Sequence, residues 1–131
     1  MSNLSSTTFR YSKLAIAATA AAVINGLLFV IGSATGASMK VNTPAYTDVD
    51  VVVVVIATLI PLLIAGAVTM LIARKKPGFQ TFARWAGFIF AIVSIGSLFA
   101  VTTDTATLVW LSLTHVVAGF AWLIAIKKIL R

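Results

Sequence analysis

The chain has 131 residues, 60% of them hydrophobic, and a net charge of +7 that comes from 10 Lys and Arg against 3 Asp and no Glu. The absence of Cys excludes disulfides, thiolate metal sites and Cys-x-x-Cys redox chemistry. A chain this apolar leaves no segment for a separate soluble domain, so we expect one domain over residues 1–131 and no nucleic-acid partner.

Four apolar stretches without an internal charge follow one another along the chain. They run from Leu14 to Gly32, from Val51 to Ile72, from Trp85 to Ala100 and from Leu108 to Ile126. Each approaches the about 20 residues that a helix needs to cross the hydrocarbon core of a bilayer. The sequence therefore predicts an all-α integral membrane four-helix bundle in the cell membrane, built as two tandem helical hairpins.

The basic residues flank these spans almost entirely on one side. Nine of the ten lie there: Arg10, Lys13, Arg74, Lys75, Lys76, Arg84, Lys127, Lys128 and Arg131. Lys40 and all three acids, Asp48, Asp50 and Asp104, lie on the other side. By the positive-inside rule both termini and the middle loop are cytoplasmic, where the basic clusters meet anionic lipid headgroups. We expect Asp50 and Asp104, each at an outer helix start, to cap free backbone N–H groups.

One polar residue lies at the same depth in each predicted span. Asn25, Thr58 and His115 are each seven residues from the outer end of their stretch, and Ser94 is seven residues from Val101, which directly follows its stretch. A rise of about 1.5 Å per residue places all four roughly 10 Å below the outer boundary of the apolar core. Because polar groups in lipid are costly without partners, Asn25 and His115 are expected to point inward and to hydrogen-bond to each other or to the two hydroxyls.

Two interpretations of this polar layer compete. In the first, Asn25 and His115 hold helices together through hydrogen bonds, each contributing about 0.6 to 2 kcal/mol. In the second, they line a small pocket or path open to the outer side, since intramembrane ionisable groups often mark such sites. Pro61, inside the second span, predicts a helix kink, which serves packing or acts as a gating hinge.

The sequence gives little support for a metal site, a haem site or a catalytic site. A single His with no second His, Cys or carboxylate at its depth does not make a metal or haem site, so we expect no metal and no cofactor. No catalytic set of nucleophile, base and orienting group can be assembled, which argues against an enzyme. Trp85, Trp110 and Trp122 lie near span ends, where their rings are expected to anchor at the headgroup level.

Short motifs give the chain a resemblance to other proteins. They are Asn25-Gly26-Leu27-Leu28, the basic and Pro-containing inner loop ahead of Arg84-Trp85, and the segment from Leu111 to Gly119 that contains His115. With these motifs the chain resembles an uncharacterised family of small four-helix membrane proteins found mainly in actinobacteria. The resemblance implies that the Asn in the first span and the His in the last are typical of the group, but it implies no activity or substrate.

Two functional hypotheses follow. The first is a non-enzymatic membrane protein that binds or passes a small solute or lipid through the polar layer. The second is an accessory or scaffolding subunit whose helix faces pack against a larger membrane partner or against another copy, since Gly and Ala seams favour close helix contact and leave a homo-oligomer open.

Overall fold

Four helices make up most of the described chain. The computed structural model describes the backbone of residues 3–129 and the side chains of residues 11–127. The helices are α1 (Asn3–Ala34), α2 (Val51–Lys75), α3 (Phe79–Val101) and α4 (Thr105–Ile129). The segments Tyr11–Ala34, Val51–Lys75, Phe79–Val101 and Thr105–Lys127 are long and apolar enough to cross a membrane. Within residues 3–129 only isolated β-bridges occur, so the prediction of an all-α, four-helix chain is confirmed.

The helices extend beyond the apolar stretches, mostly at their basic ends. α3 begins at Phe79 rather than at Trp85, and α2 ends at Lys75 rather than at Ile72. A count of uncharged residues stops at the first Lys or Arg, but a helix continues through such residues because their side chains reach toward the headgroups. The side chains of Arg10, Lys128 and Arg131, which belong to the predicted basic clusters, lie outside the described part.

The two ends of the bundle differ in charge. We call the end that carries Arg74, Lys75, Lys76 and Lys127 the basic end, and the end that carries Asp48, Asp50 and Asp104 the acidic end. A buried cluster packs near the basic end: Leu14, Ala83, Trp122, Ala125 and Ile126. A second cluster packs at the acidic end: Ala37, Met39, Val41, Leu98 and Leu111. The second cluster joins the loop after α1 to the helices.

The helices pack in the order α2, α1, α4, α3. α1 lies against both α2 and α4, and α4 lies against α1 and α3, whereas α2 and α3 scarcely touch. Glycines permit the close crossings: Leu14 of α1 packs on Gly66 of α2, and Trp122 of α4 packs on Gly87 of α3. The bundle is therefore open along one side, between α2 and α3.

The loop between α1 and α2, residues 35–50, folds over the acidic end. Bridges pair Lys40 with Asp48 and Val41 with Thr102, so the loop is tied both to itself and to the turn after α3. The amide N–H of Asn42 donates to the Val101 carbonyl at 2.7 Å, which fixes the loop above α3. Gly36 has a φ of 103°, in the region that favours glycine, and lets the chain turn away from α1.

Candidate functional site: a polar chain and an open cavity

Asn25 joins three helices. Its side chain is 1% exposed, and its amide nitrogen donates to Thr58 Oγ1 of α2 at 2.9 Å and to the Thr114 carbonyl of α4 at 3.1 Å. The Thr58 hydroxyl donates its own hydrogen to the Val54 carbonyl at 2.8 Å, so Oγ1 is an acceptor toward Asn25. Both partners of the nitrogen are acceptors, which settles the orientation of the amide.

The other half of the Asn25 amide is unsatisfied. Oδ1 is buried and meets no donor among the described residues. A buried acceptor left without a partner costs about 1–3 kcal/mol, which offsets much of what the two donated bonds contribute. The two donated bonds and the unbonded Oδ1 therefore act in opposite directions on how strongly Asn25 holds the helices together.

His115 and Ser94 form the second polar contact of the predicted layer. His115 Nδ1 lies 2.7 Å from Ser94 Oγ, which joins α4 to α3. Asn25 and His115 do not bond to each other; each pairs with one of the two hydroxyls, and Thr114 and His115 are neighbours on α4. The four predicted residues thus form a chain of contacts from α2 through α1 and α4 to α3, the same order in which the helices pack.

The protonation pattern of the imidazole follows from distances. Ser94 Oγ lies 2.7 Å from the Ala91 carbonyl, and two oxygens this close need a hydrogen between them, which the hydroxyl must supply. Ser94 then has no hydrogen left for His115, so Nδ1 carries the proton and donates to Oγ. Nε2 of the neutral ring is left as an acceptor, so the hydrogen bond that the Ala91 carbonyl also accepts from the ring comes from the protonated nitrogen.

A Ser next to a His is also a pair used in nucleophilic catalysis, but this pair is arranged differently. A base must accept the hydroxyl proton, whereas here the ring donates to the hydroxyl. All three Asp residues lie at the acidic end and none orients the ring. Groups of three or more His, Cys or acidic residues that could hold a metal ion are not found among the described residues.

A cavity of about 460 Å³ occupies the open side of the bundle. Its walls come from α2, α3 and α4, and loop residues including Tyr46 and Val49 form its roof at the acidic end. Thr58, Ser94, Thr114 and His115 are in the wall, and the rest of the wall is largely apolar. Three of the four predicted residues therefore line one cavity, while Asn25 lies behind the wall.

Pro61 lies inside α2, and the helix continues through it. Because proline has no N–H, the carbonyl of Ala57 one turn earlier loses its helical donor. Both residues are in the cavity wall and both are exposed. Pro61 is thus part of the cavity surface.

Asp104 organises the roof, a role that the sequence only partly indicated. Its carboxylate accepts from the Thr107 amide at 2.8 Å and from the Thr107 hydroxyl at 2.7 Å, and also from the Ser38 hydroxyl. These hydrogen bonds, first that from Ser38, lower the pKa of Asp104 from 3.8 to about 2. Asp50 accepts from the Val53 amide at 2.8 Å, so the predicted capping by both acids is confirmed. The tie from Asp104 to the loop is additional.

The prediction for Trp122 was wrong. Its ring is 5% exposed rather than at the headgroup level, and Nε1 donates to the carbonyls of Ala83 at 3.0 Å and Arg84 at 3.1 Å. The ring packs on Gly87, where the lack of a side chain on α3 makes room for it. Trp85, by contrast, is half exposed, with the Arg84 guanidinium 5.5 Å from its ring centroid.

Four membrane-length apolar helices around a partly polar cavity define, by length and composition, a multi-pass helical membrane protein. A family model described as a family of unknown function, DUF6069, matches residues 5–131, and the chain belongs to that family. The match covers nearly all of the chain and agrees with the expected uncharacterised family. No curated protein and no solved structure is significantly similar to the chain.

Proposed function

We propose that this protein binds a lipophilic molecule in the cavity between α2 and α3, without carrying out a reaction on it. The observation that carries the proposal is a cavity of about 460 Å³ whose largely apolar wall contains a few polar groups at one place. Ligand sites typically have volumes of about 300–1,000 Å³ and combine apolar walls with a few placed polar groups.

The direction of access supports a ligand that comes from the bilayer. The gap between α2 and α3 lies along the apolar length of both helices, and exposed Ala57, Ala65 and Phe90 border it. At the acidic end, by contrast, the roof is tied down through Asn42 and Asp104. A lipophilic molecule dissolved in the membrane meets the cavity directly.

Native mass spectrometry of the protein released from lipid nanodiscs tests the proposal. Ala57→Phe places a ring in the exposed cavity wall, and Thr19→Phe places the same ring on an exposed part of α1 away from the cavity. We expect a reproducible bound mass in the wild type and in Thr19→Phe that Ala57→Phe loses. Equal retention by both variants, or a bare wild-type chain, contradicts the proposal.

A second function, as an accessory subunit, is favoured by a different surface. A groove of about 820 Å³ runs between α1 and α4 and contains Ala17, Ala20, Ala21, Ala121 and Ala125. Alanines allow the close approach of another helix in a membrane. If that groove holds a partner or a second copy, Ala20→Phe releases it, as measured by light scattering of the mild-detergent complex, whereas Ala57→Phe leaves the assembly intact.

A further inference from the structure

The hydroxyl groups of Thr58, Ser94 and Thr114 in the cavity wall already donate their hydrogens to backbone carbonyls. Thr58 donates to the Val54 carbonyl, Ser94 to the Ala91 carbonyl, and Thr114 Oγ1 to the Leu111 carbonyl at 2.7 Å. The Trp122 N–H is also bonded, to backbone carbonyls of α3. Apart from Tyr46 in the roof, the polar groups of the wall can therefore only accept a hydrogen bond from a ligand.

Besides the Ala57 carbonyl, which Pro61 leaves without its helical donor, His115 Nε2 is an acceptor that the wall offers. The ring lines the cavity, and its other nitrogen is held by Ser94 at 2.7 Å. Because Ser94 donates to the Ala91 carbonyl, the ring is held with its proton on Nδ1 and its lone pair on Nε2. Ser94 is thus a positioning residue that sets which half of a hydrogen bond the ring offers.

The uncharged character of the wall narrows the chemical class of the ligand further. The wall contains no Lys, Arg, Asp or Glu among the described residues. A charged headgroup brought into this apolar space would have no counterion, and burying an unpaired charge is far more costly than burying a hydroxyl. Phospholipids and fatty-acid anions are therefore poor fits for the polar part of the cavity.

We propose that the ligand is an uncharged lipid with a free hydroxyl, of the long-chain alcohol type, whose O–H donates to His115 Nε2. This inference rests on the proposed binding function and adds the chemical class of the ligand.

The test compares two molecules that differ in the O–H donor and in the one methyl group that replaces its hydrogen. Cetyl alcohol and its methyl ether compete with a diazirine-labelled cetyl alcohol for photo-crosslinking to the protein in nanodiscs. One hydrogen bond favours the alcohol, and we expect wild type to bind it about two- to tenfold more tightly than the ether. The Ala57→Phe variant measures the background, because the crosslinking that it retains does not depend on the cavity.

Two variants separate the acceptor from general packing. His115→Leu removes Nε2, so the alcohol and the ether should compete equally. Ser94→Ala leaves the Ala91 carbonyl as the described partner of the ring N–H and stabilises the Nδ1-protonated ring less, so binding of the ether should rise and the preference should shrink. A merely structural role for Ser94 would weaken both ligands together and leave their ratio unchanged.

The outcomes distinguish the two proposals. If crosslinking depends on the cavity but wild type prefers the ether, prefers palmitate offered as a third competitor, or shows no preference, the ligand class is wrong and the binding function stands. If Ala57→Phe crosslinks as strongly as wild type, the binding function fails as well. Since His115 is the only His in the chain, nitrogen NMR of the labelled imidazole reads its tautomer without assignment, and a proton on Nε2 in the ligand-free protein overturns the class.

Discussion

Gly87→Ala should separate α3 from α4 by displacing Trp122. A Cβ at position 87 would lie 2.5 Å from Trp122 Cε2 and 2.7 Å from Cδ1, and closer still to Nε1. Non-bonded heavy atoms prefer about 3.5–4.0 Å, so the ring would have to move by about 1 Å or more. It has little freedom to move, because it is buried and its N–H is bonded to two carbonyls of α3.

The expected loss is about 2–6 kcal/mol of unfolding free energy. Overpacking costs about 1–3 kcal/mol, and a buried N–H that loses its acceptors costs a similar amount. Gly96→Ala is the matched control: the residue is on the same helix, but a Cβ there meets nothing within 4 Å. Any gain in helix propensity is common to both variants and is at most about 1 kcal/mol.

The measurement is unfolding in mild detergent with increasing dodecyl sulfate, followed by far-UV circular dichroism. Gly96→Ala should unfold with the wild type or slightly later, and Gly87→Ala clearly earlier. If the two variants unfold within about 0.5 kcal/mol of each other, the contact of Trp122 with α3 is not what holds these helices together, and the reasoning fails.

Three further predictions concern the polar chain, the roof and the orientation. Asn25→Leu should change stability by less than about 1 kcal/mol in the same assay, because it removes an unsatisfied Oδ1 together with two donated bonds; a larger loss would show that Oδ1 is satisfied. Hydrogen bonds from Ser38 and Thr107 lower the pKa of Asp104 to about 2, so its ionised form stabilises the fold above about pH 4 and that contribution is lost as the pH falls toward about 2. Thermal unfolding should therefore show an acid-dependent step that Asp104→Asn lacks; its persistence in that variant would contradict this origin. In this Cys-free chain, Lys76→Cys should be shielded from an impermeant thiol reagent in intact cells and Asn42→Cys labelled, and the reverse would overturn the predicted orientation.

The sequence predicted best those features that depend on a single property, such as the length of an apolar stretch or the depth of a residue in it. Length and apolarity alone predicted four helices, and the structure has them, with different ends where Arg84 and Lys75 continue a helix that the count had stopped. Counting depth brought together Thr58, Ser94 and His115 in one wall, because helices of similar length and short loops keep equal depths aligned.

The features that the sequence did not predict depend on which helices touch. Nothing in the spacing of Trp122 distinguishes a ring at the headgroups from a ring on Gly87, since the choice depends on how α3 and α4 cross. The tie between Asp104 and Ser38 joins residues far apart in the chain, and their types are equally suited to plain capping. The gap between α2 and α3 has no local signature at all.

The gap between α2 and α3 is easier to keep open in a bilayer than in water. In water the hydrophobic effect would favour closing an apolar cleft of this size, but lipid tails are as apolar as the cleft and provide no such force. α2 and α3 can therefore stay apart as long as something apolar fills the space. Any lipid tail can do that, so the apolar wall gives little selectivity, and discrimination between ligands must come from the few wall groups that differ from lipid. Of these, His115 is the side chain of α2, α3 and α4 whose ring nitrogen, Nε2, we propose as the acceptor that distinguishes a ligand from a lipid tail.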